Sequence, residues 1–496
     1  MKNKSFILLL CVLFTLCFLV HCSPQENPSQ KMNILLITAD TLRADHLGCY
    51  GYHRQTSPNI DALASKSIQF MNVSSVINNT NPSHISMFTA EYPKDHGVYT
   101  LVTPLGKGHV TLAEILKDRK YQTAAFVSAN HLSNAMSGLG RGFDVYREAH
   151  KMKVPADETI ENALDWIREN PSKKFFVWIH LFDPHMPYDP PFPYNKAFDR
   201  DYTGWGKIFF DVYTMKAPAD QYIKTPGLTN LQAETLKRIS DGRFSSQDII
   251  RNKVGFSDRD VEYVKSLYDG EIKFMDYYIG FLLNEMQKLG LDRNTLIIFT
   301  ADHGESLGEH GIYFDHIGIY EPSIKVPLII YIPQSPAKKN NSMVSNMDIL
   351  PTLLYILNIS VSSKIRQHFD GISLMPLLQD GTVNVIHKEL FIEHANNLAK
   401  LVKNKDYKYI RPADGATDST DSFVHKDEFY DIRDDPGELN NLRETKSLEN
   451  TPYEEMKKSL LDWAGDTWMI TKDEKAFEQL KREQREKLKA LGYINN

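Results

Sequence analysis

The stretch Asn33-Ile34-Leu35-Leu36-Ile37-Thr38, continued by Ala39-Asp40-Thr41, decides the fold of this chain. Its apolar residues follow one another without alternation, which is typical of a parallel strand buried on both faces of a sheet. Similar runs occupy residues 123–127, 175–181, 296–300 and 328–332, with helical patterns between them. This alternation predicts an α/β fold with a doubly wound, mostly parallel sheet flanked by helices.

Polar clusters begin where three of these runs end. Asp40 follows the first run, Asp183 and His185 follow the third, and Asp302 and His303 follow the fourth. Ligands in such folds gather beyond the carboxyl ends of the strands, so we expect a site there. Carboxylates mixed with imidazoles favour Zn²⁺ or Mn²⁺, whereas an all-oxygen set would favour Ca²⁺ or Mg²⁺. The sequence therefore predicts a divalent metal site.

Composition excludes few classes of function. The 496 residues are 42% hydrophobic, enough for a large core, and the net charge is −6. No basic patch stands out, so nucleic acid is not an expected partner.

The N-terminus predicts export. Lys2 and Lys4 precede an apolar run over residues 6–20, as in a signal peptide, and Leu19-Val20-His21-Cys22 resembles a bacterial lipobox. We expect residues 1–22 to be a signal or lipoprotein peptide, residues 23–31 a tether, and Cys22 a lipid anchor at the bacterial cell envelope and its membrane. Plain cleavage and a retained anchor are the alternatives. Cys49 is then the single cysteine of the mature body, and we interpret it as an ordinary packing residue.

Two units are predicted after the tether. Residues 32–385 form the catalytic domain, with an irregular insertion over residues 199–256 and a long helix over residues 258–289. Residues 386–496 form a smaller C-terminal α+β subdomain that ends in a charged helix over residues 453–491.

The stretch Asn79-Thr80-Asn81-Pro82-Ser83-His84 resembles the active-site signature of the sulfatase family, in the alkaline phosphatase superfamily. In that family a cysteine or serine, converted to formylglycine, stands two residues before the proline, where this chain has Thr80. Further segments match in the same order, which makes the resemblance specific: Asp40-Thr41-Leu42-Arg43, Ser57-Pro58-Asn59, Asp183-Pro184-His185, Asp302-His303-Gly304, Val326-Pro327-Leu328 and Asp435-Pro436-Gly437.

The resemblance implies roles for individual residues. Asp40, Asp302 and His303 would bind the metal, and Thr80 would add its oxygen and act as nucleophile. The remaining candidates fall into three groups: His185, His316 and His131 as catalytic residues; Arg43, Asn130 and His84 as substrate-binding residues; and Asp183 with His185 and His316 as a second metal site. His310 is a weaker candidate.

Three departures from the family pattern bear on the substrate. Thr80 cannot become formylglycine, Thr41 replaces a second metal-binding aspartate, and His84 replaces an arginine. We therefore expect no formylglycine, and a small phosphate or phosphonate ester of a sugar, a lipid head group or a similar alcohol. The alternatives are sulfuric ester hydrolysis, a phosphoethanolamine-type transferase, and a binding lipoprotein without activity.

Overall fold

The computed structural model describes residues 32–170, 174–244, 246–378, 385–413, 426–445 and 448–465. The signal peptide, the tether and Cys22 lie outside these residues, so the predictions about them stay predictions. The part of the predicted terminal helix beyond residue 465 also lies outside them.

An eight-stranded sheet forms the centre of the molecule, in the order β10-β2-β9-β6-β1-β5-β3-β4. Its strands are β1 Asn33–Ala39, β2 Ile68–Ser74, β3 Gln122–Val127, β4 Val145–Arg147, β5 Phe175–Leu181, β6 Thr295–Ala301, β9 Lys325–Tyr331 and β10 Lys338–Ser345. Neighbouring strands from β6 to β4 are parallel, whereas β9 runs antiparallel to both β6 and β2. Every residue of β1, β5 and β6 is buried, as unbroken apolar runs predict. The predicted mostly parallel α/β fold is confirmed.

Helices cover the sheet. Their bounds are α1 Pro58–Ala64, α2 Thr80–Thr89, α3 Pro93–His96, α4 Leu112–Asp118, α5 Asn134–Ser137, α6 Ala156–Glu169, α7 Trp205–Tyr213, α8 Asp220–Ile223, α9 Asn230–Ser240, α10 Ser246–Ile250, α11 Asp258–Lys288, α12 Glu321–Ile324, α13 Ile349–Ile356, α14 Ser363–Arg366, α15 Met375–Leu378, α16 Leu442–Thr445 and α17 Tyr453–Ala464. The long helix predicted over residues 258–289 corresponds to α11. It begins with a capping box in which Ser257 and Asp260 satisfy each other's backbone N–H groups.

The insertion over residues 199–256 was wrongly predicted to be irregular, because it contains α7, α8, α9 and α10. Its helices are short and separated by polar turns, which obscures their period in the sequence, but Trp205, Phe209 and Phe256 are buried in the main core. The segment therefore packs as part of the catalytic body.

A four-stranded antiparallel sheet forms the smaller C-terminal unit, in the order β11-β12-β13-β14. Its strands are β11 Leu390–Glu393, β12 Ala399–Lys403, β13 Tyr407–Pro412 and β14 Glu428–Asp431, and a short ribbon of β7 Ser306–Leu307 and β8 Tyr313–Asp315 lies in the catalytic unit. Helix α17 packs on the small sheet through Met456 and Leu460. Among the described helices, none combines the length and the apolar character needed to cross a membrane.

Candidate active site

The carboxyl ends of three adjacent strands, β6, β1 and β5, converge on one site. Asp40 directly follows β1 and Asp302 directly follows β6, and these strands pair residue by residue up to Ala39 and Ala301. Thr80 is the first residue of α2, a helix whose ten residues are all buried. The sheet thus brings together residues that are up to 263 positions apart in the sequence, from Asp40 to His303.

Thr80 lies between a carboxylate and an imidazole. Its Oγ1 is 3.4 Å from Oδ2 of Asp40 and 3.3 Å from Nε2 of His303. Nε2 of His303 is in turn 3.6 Å from Oδ2 of Asp302. Possible ligand atoms of Asp40, Asp302 and His303 all lie within 4.8 Å of one another. The structure thus brings the predicted metal ligands and the predicted nucleophile together.

The donor atoms of this cluster fit a divalent cation. Oδ1 of Asp40, Oδ2 of Asp302 and Oγ1 of Thr41 are buried without a hydrogen-bond partner among the described residues. Nδ1 of His303 lies 3.0 Å from the carbonyl of Gly304, which can only accept, so Nε2 of the neutral ring presents a lone pair to the carboxylates. Buried acceptors that face one another are costly unless a cation lies among them.

The pKa values of the two carboxyl groups, Asp40 and Asp302, are shifted in opposite directions. Burial raises the pKa of Asp40, but contacts with neighbouring imidazoles, that of His131 foremost, outweigh burial and hold it well below its usual value. Burial and the negative charge of Asp40 raise the pKa of Asp302 well above its usual value. Burial, together with His316, lowers the pKa of His303. A cation bound between the carboxylates would relieve their repulsion.

Two partly exposed histidines, His185 and His316, stand beside this buried group. The ring of His316 lies 4.3 Å from that of His303 and 5.7 Å from that of His185. Nδ1 of His316 donates to the carbonyl of Asn78, and Nδ1 of His185 donates to that of Met186. The Nε2 atoms are therefore the positions at which these rings can exchange a proton or bind a substrate.

The other residues predicted to be catalytic or to bind substrate differ in how deeply they are buried. Nε2 of His131 is 3.8 Å from Oδ2 of Asp40, and Asn130 precedes it on a 3₁₀ turn with partial exposure. His84 has no exposed surface and lies under Thr80, where its Nδ1 donates to the Thr80 carbonyl across 2.9 Å. Its Nε2 is 3.0 Å from Oγ1 of Thr38. Both ring nitrogens are thus engaged within the protein, so the geometry gives His84 a positioning role in place of the predicted substrate contact.

Arg43 and Asp183 are engaged by other parts of the protein. The guanidinium of Arg43 pairs with Asp45 and Glu309, each at 2.8 Å. Oδ1 of Asp183 accepts the backbone N–H of Ala156, at the start of α6, across 3.0 Å. These contacts indicate structural roles, in contrast to the predicted substrate contact of Arg43 and the predicted place of Asp183 in a second metal site. The ring of His310 stacks on Tyr320, with 3.7 Å between centroids.

One residue near the site was missed by the sequence analysis. His180 lies inside β5 and is fully buried, and its Nε2 is 3.4 Å from Oδ2 of Asp40. A polar residue within an otherwise apolar strand, just before Asp183 and His185, was the signal that could have found it.

The fold and the site together define a class of protein, a metal-dependent ester hydrolase built on an alkaline-phosphatase-like α/β sheet. Comparison with known proteins gives the family. The sequence model of the sulfatase family matches residues 32–359, and a model of the C-terminal part of N-sulphoglucosamine sulphohydrolase matches residues 308–465. The chain belongs to the sulfatase family, whose enzymes bind a divalent metal.

Individual relatives extend over most of the chain. N-acetylglucosamine-6-O-sulfatase of Bacteroides thetaiotaomicron is 25% identical over 484 residues, covering 86% of this chain and 85% of that protein. An ulvan-active sulfatase of Formosa agariphila is 25% identical over 460 residues, covering 88% and 83%.

Solved structures share the fold. A protein in complex with its substrate D-glucosamine-2-N,6-O-disulfate superposes with a TM-score of 0.66 at 21% identity, over 88% of this chain and 97% of that one. The phosphonate monoester hydrolase of Agrobacterium radiobacter gives 0.66 at 20% identity, over 88% and 97%. Sulfatases and phosphonate hydrolases thus resemble this chain equally well in fold.

Proposed function

We propose that this sulfatase-family hydrolase cleaves phosphate diesters or phosphonate monoesters, with the hydroxyl of Thr80 as its nucleophile. The observation that carries the proposal is the position of Thr80, in a stretch that resembles the active-site signature of the family, with Oγ1 within 3.4 Å of both Asp40 and His303. A threonine cannot form the aldehyde hydrate that expels sulfate by re-forming a carbonyl. An ester formed on Thr80 must therefore be hydrolysed directly.

The residues around Thr80 support deprotonation of its hydroxyl. Asp40 is held ionised by its depressed pKa, and its Oδ2 accepts a hydrogen bond from the Thr80 hydroxyl, which orients Oγ1 toward the cluster. Thr80 also stands in the first turn of α2, where the positive end of the helix dipole favours an anion. A divalent ion held by Asp40, Asp302 and His303 would lower the pKa of the hydroxyl and neutralise charge on the nonbridging oxygens.

His185 and His316 are suited to proton transfer at the leaving group. Both rings are partly exposed beside the buried cluster, and the Nε2 of either ring, once it has taken up a proton, could pass that proton to the oxygen of the leaving alcohol as the ester on Thr80 forms. Water would then attack the ester on Thr80, and release of the acid would restore the hydroxyl.

A second candidate is sulfuric ester hydrolysis. It is favoured by the curated relatives, which include sulfatases that act on N-acetylglucosamine and on ulvan. Loss of activity altogether is disfavoured, because Asp40, Asp302 and His303 are all present and assembled. Transfer to an acceptor other than water would use the same first step.

Turnover of four substrates tests the proposal: an aryl sulfate, a phosphate monoester, a phosphate diester and a phosphonate monoester. Purified protein is supplied with Zn²⁺ or Mn²⁺, and Thr80→Ala protein from the same preparation measures contaminating activity. The expected result is the highest kcat/KM with the diester or the phosphonate. A preference for sulfate, together with an unmodified mass for the peptide that contains Thr80, would overturn both the substrate class and the mechanism.

The protein is also proposed to be a lipoprotein of the bacterial cell envelope. Support comes from the apolar run before Cys22 and the lipobox-like residues Leu19 to Cys22. Labelling with an alkyne fatty acid should mark the wild type and leave the Cys22→Ser variant unlabelled. A labelled variant would contradict the anchor.

A further inference from the structure

His180 belongs to no motif of the family resemblance, yet it lies beside the predicted metal ligands. It occupies β5 opposite Thr38 of β1 and has no exposed surface. A buried histidine normally has both ring nitrogens satisfied by hydrogen bonds, so the partners of each nitrogen decide what the ring does.

Hydrogen bonds on one side of the ring determine its tautomer. Oγ of Ser128 lies 2.6 Å from the carbonyl oxygen of His180 and 3.1 Å from Nδ1 of the same residue. The carbonyl can only accept, so the single hydroxyl hydrogen of Ser128 points to it. Nδ1 must then donate to Oγ, which leaves Nε2 of the neutral ring with a lone pair.

That lone pair faces a carboxylate. Nε2 of His180 lies 3.4 Å from Oδ2 of Asp40, and it has no hydrogen-bond partner in the described part of the chain. Possible ligand atoms of His180, His84 and Asp302 also lie within 4.8 Å of one another. An unpaired nitrogen directed at a buried carboxylate is unfavourable unless a cation lies between them.

His84, the nearest comparable ring, lacks such a lone pair. Its Nδ1 donates to the carbonyl of Thr80, and its Nε2 is 3.0 Å from Oγ1 of Thr38. Because Trp178 donates its indole N–H to the same Oγ1, the hydroxyl of Thr38 is free to donate to Nε2 of His84. Both nitrogens of His84 are therefore occupied. Of these two rings, His180 is the one whose lone pair is directed at the carboxylates.

We propose that Nε2 of His180 is a ligand for the divalent ion of this site, beside Asp40 and Asp302. The inference rests on the proposed metal site, but not on Thr80 as nucleophile or on the substrate class. His180 would place an imidazole nitrogen beside the carboxylates of the site, and a nitrogen donor favours Zn²⁺ or Mn²⁺ over Ca²⁺. Ser128 fixes the ring through Nδ1, as partners of metal-binding histidines commonly do.

Metal titration of the full chain tests this inference without any assay of activity. Wild type, His180→Ala and His180→Gln are stripped with chelator and titrated with Zn²⁺ and then Ca²⁺ in a calorimeter. The matched control is His96→Gln, because His96 is also buried but its nitrogens bond Ser86 and the backbone of Val98. Near-ultraviolet circular dichroism of each metal-free variant identifies any that fails to fold, and the glutamine variant keeps a polar group of similar size.

The expected result is a loss of Zn²⁺ affinity of about 10-fold or more in both His180 variants, with Ca²⁺ affinity changed by less than about 3-fold. His96→Gln should bind both ions as wild type does. Wild-type affinity for Zn²⁺ in the His180 variants would overturn the inference and leave the proposed site standing. An equal loss in His96→Gln would also overturn it, and failure of the wild type to bind any divalent ion would overturn the site and the inference together.

Discussion

Thr80 differs from a serine by one methyl group, and that group bears on how the hydroxyl is held. A β-branched side chain has few allowed χ1 rotamers in a helix, and Thr80 is the first residue of α2 with only 1% of its surface exposed. In the observed rotamer Oγ1 points at Asp40 and His303. The methyl group thus helps to keep the nucleophilic hydroxyl in this orientation. A serine, whose side chain is more mobile, would keep it there less well.

Removal of the hydroxyl should abolish turnover and leave the fold intact. Thr80→Ala is expected to lower kcat by about 10⁴-fold or more, because it removes the hydroxyl on which the ester intermediate is proposed to form. Thr80→Ser, the matched control, should retain measurable activity. Steady-state kinetics and metal analysis by mass spectrometry check both variants. Unchanged kcat in Thr80→Ala would contradict the assignment of the nucleophile.

The metal ligands should be separable from other buried carboxylates. We expect Asp302→Asn and His303→Ala to lose bound metal and activity together, since each removes an atom of the buried cluster. Asp276→Asn is the control: Asp276 is as buried as Asp302 but accepts backbone N–H groups of Asn59 and Ile60. Stoichiometric metal in both site variants would show that the ion binds elsewhere.

At the scale of elements, the parallel order of β6, β1 and β5 explains why the site could be anticipated. Residues that directly follow parallel strands meet at one edge of a sheet, so Asp40, Asp302 and His303 were predictable from strand ends alone. His180 was not, because it lies within β5 and only the observed register places it beside Thr38 and Asp40. The roles of Arg43 and Asp183 depend on partners far along the chain, which no local pattern reveals.

Asp183, which the sequence predicts to be a metal ligand, holds the start of helix α6 in the structure. Its carboxylate accepts the first N–H of α6, and the amine of Lys153 donates to its backbone carbonyl. Asp183→Ala should therefore lower stability by about 1–2 kcal/mol, the usual cost of losing a helix cap, and leave metal stoichiometry unchanged. Urea unfolding and metal analysis check the two parts. Loss of metal at unchanged stability would return Asp183 to the second metal site predicted from the sequence.

At the scale of the whole molecule, buried ion pairs fasten the small C-terminal sheet to the catalytic unit. Lys403 of β12 lies 2.6 Å from Glu321, at the start of α12, and Lys408 of β13 lies 3.5 Å from the same carboxylate and 2.5 Å from Glu438. Both lysines are at most 1% exposed. Elsewhere along this contact, Glu393 of β11 accepts the backbone N–H of Lys94. The small sheet is therefore held by charges that would be costly to leave unpaired.

Glu321→Gln should destabilise the protein by about 3 kcal/mol, because it leaves Lys403 buried without its carboxylate. Burial raises the pKa of Glu321, but Lys403 and Lys408 outweigh burial and lower it to about 2 from the ordinary 4.5. A depressed carboxyl pKa stabilises the folded state above about pH 4.5, and this contribution is lost as the pH falls towards 2. The difference in urea midpoint between wild type and Glu321→Gln should thus be largest near neutral pH and narrow below pH 4.5.

Asp434→Asn, which removes an exposed partner of Arg433, is the control and should change stability by less than about 0.5 kcal/mol at any pH. A difference that does not vary with pH would show that the loss in Glu321→Gln comes from altered packing, and the interface would then have to be explained without its charges.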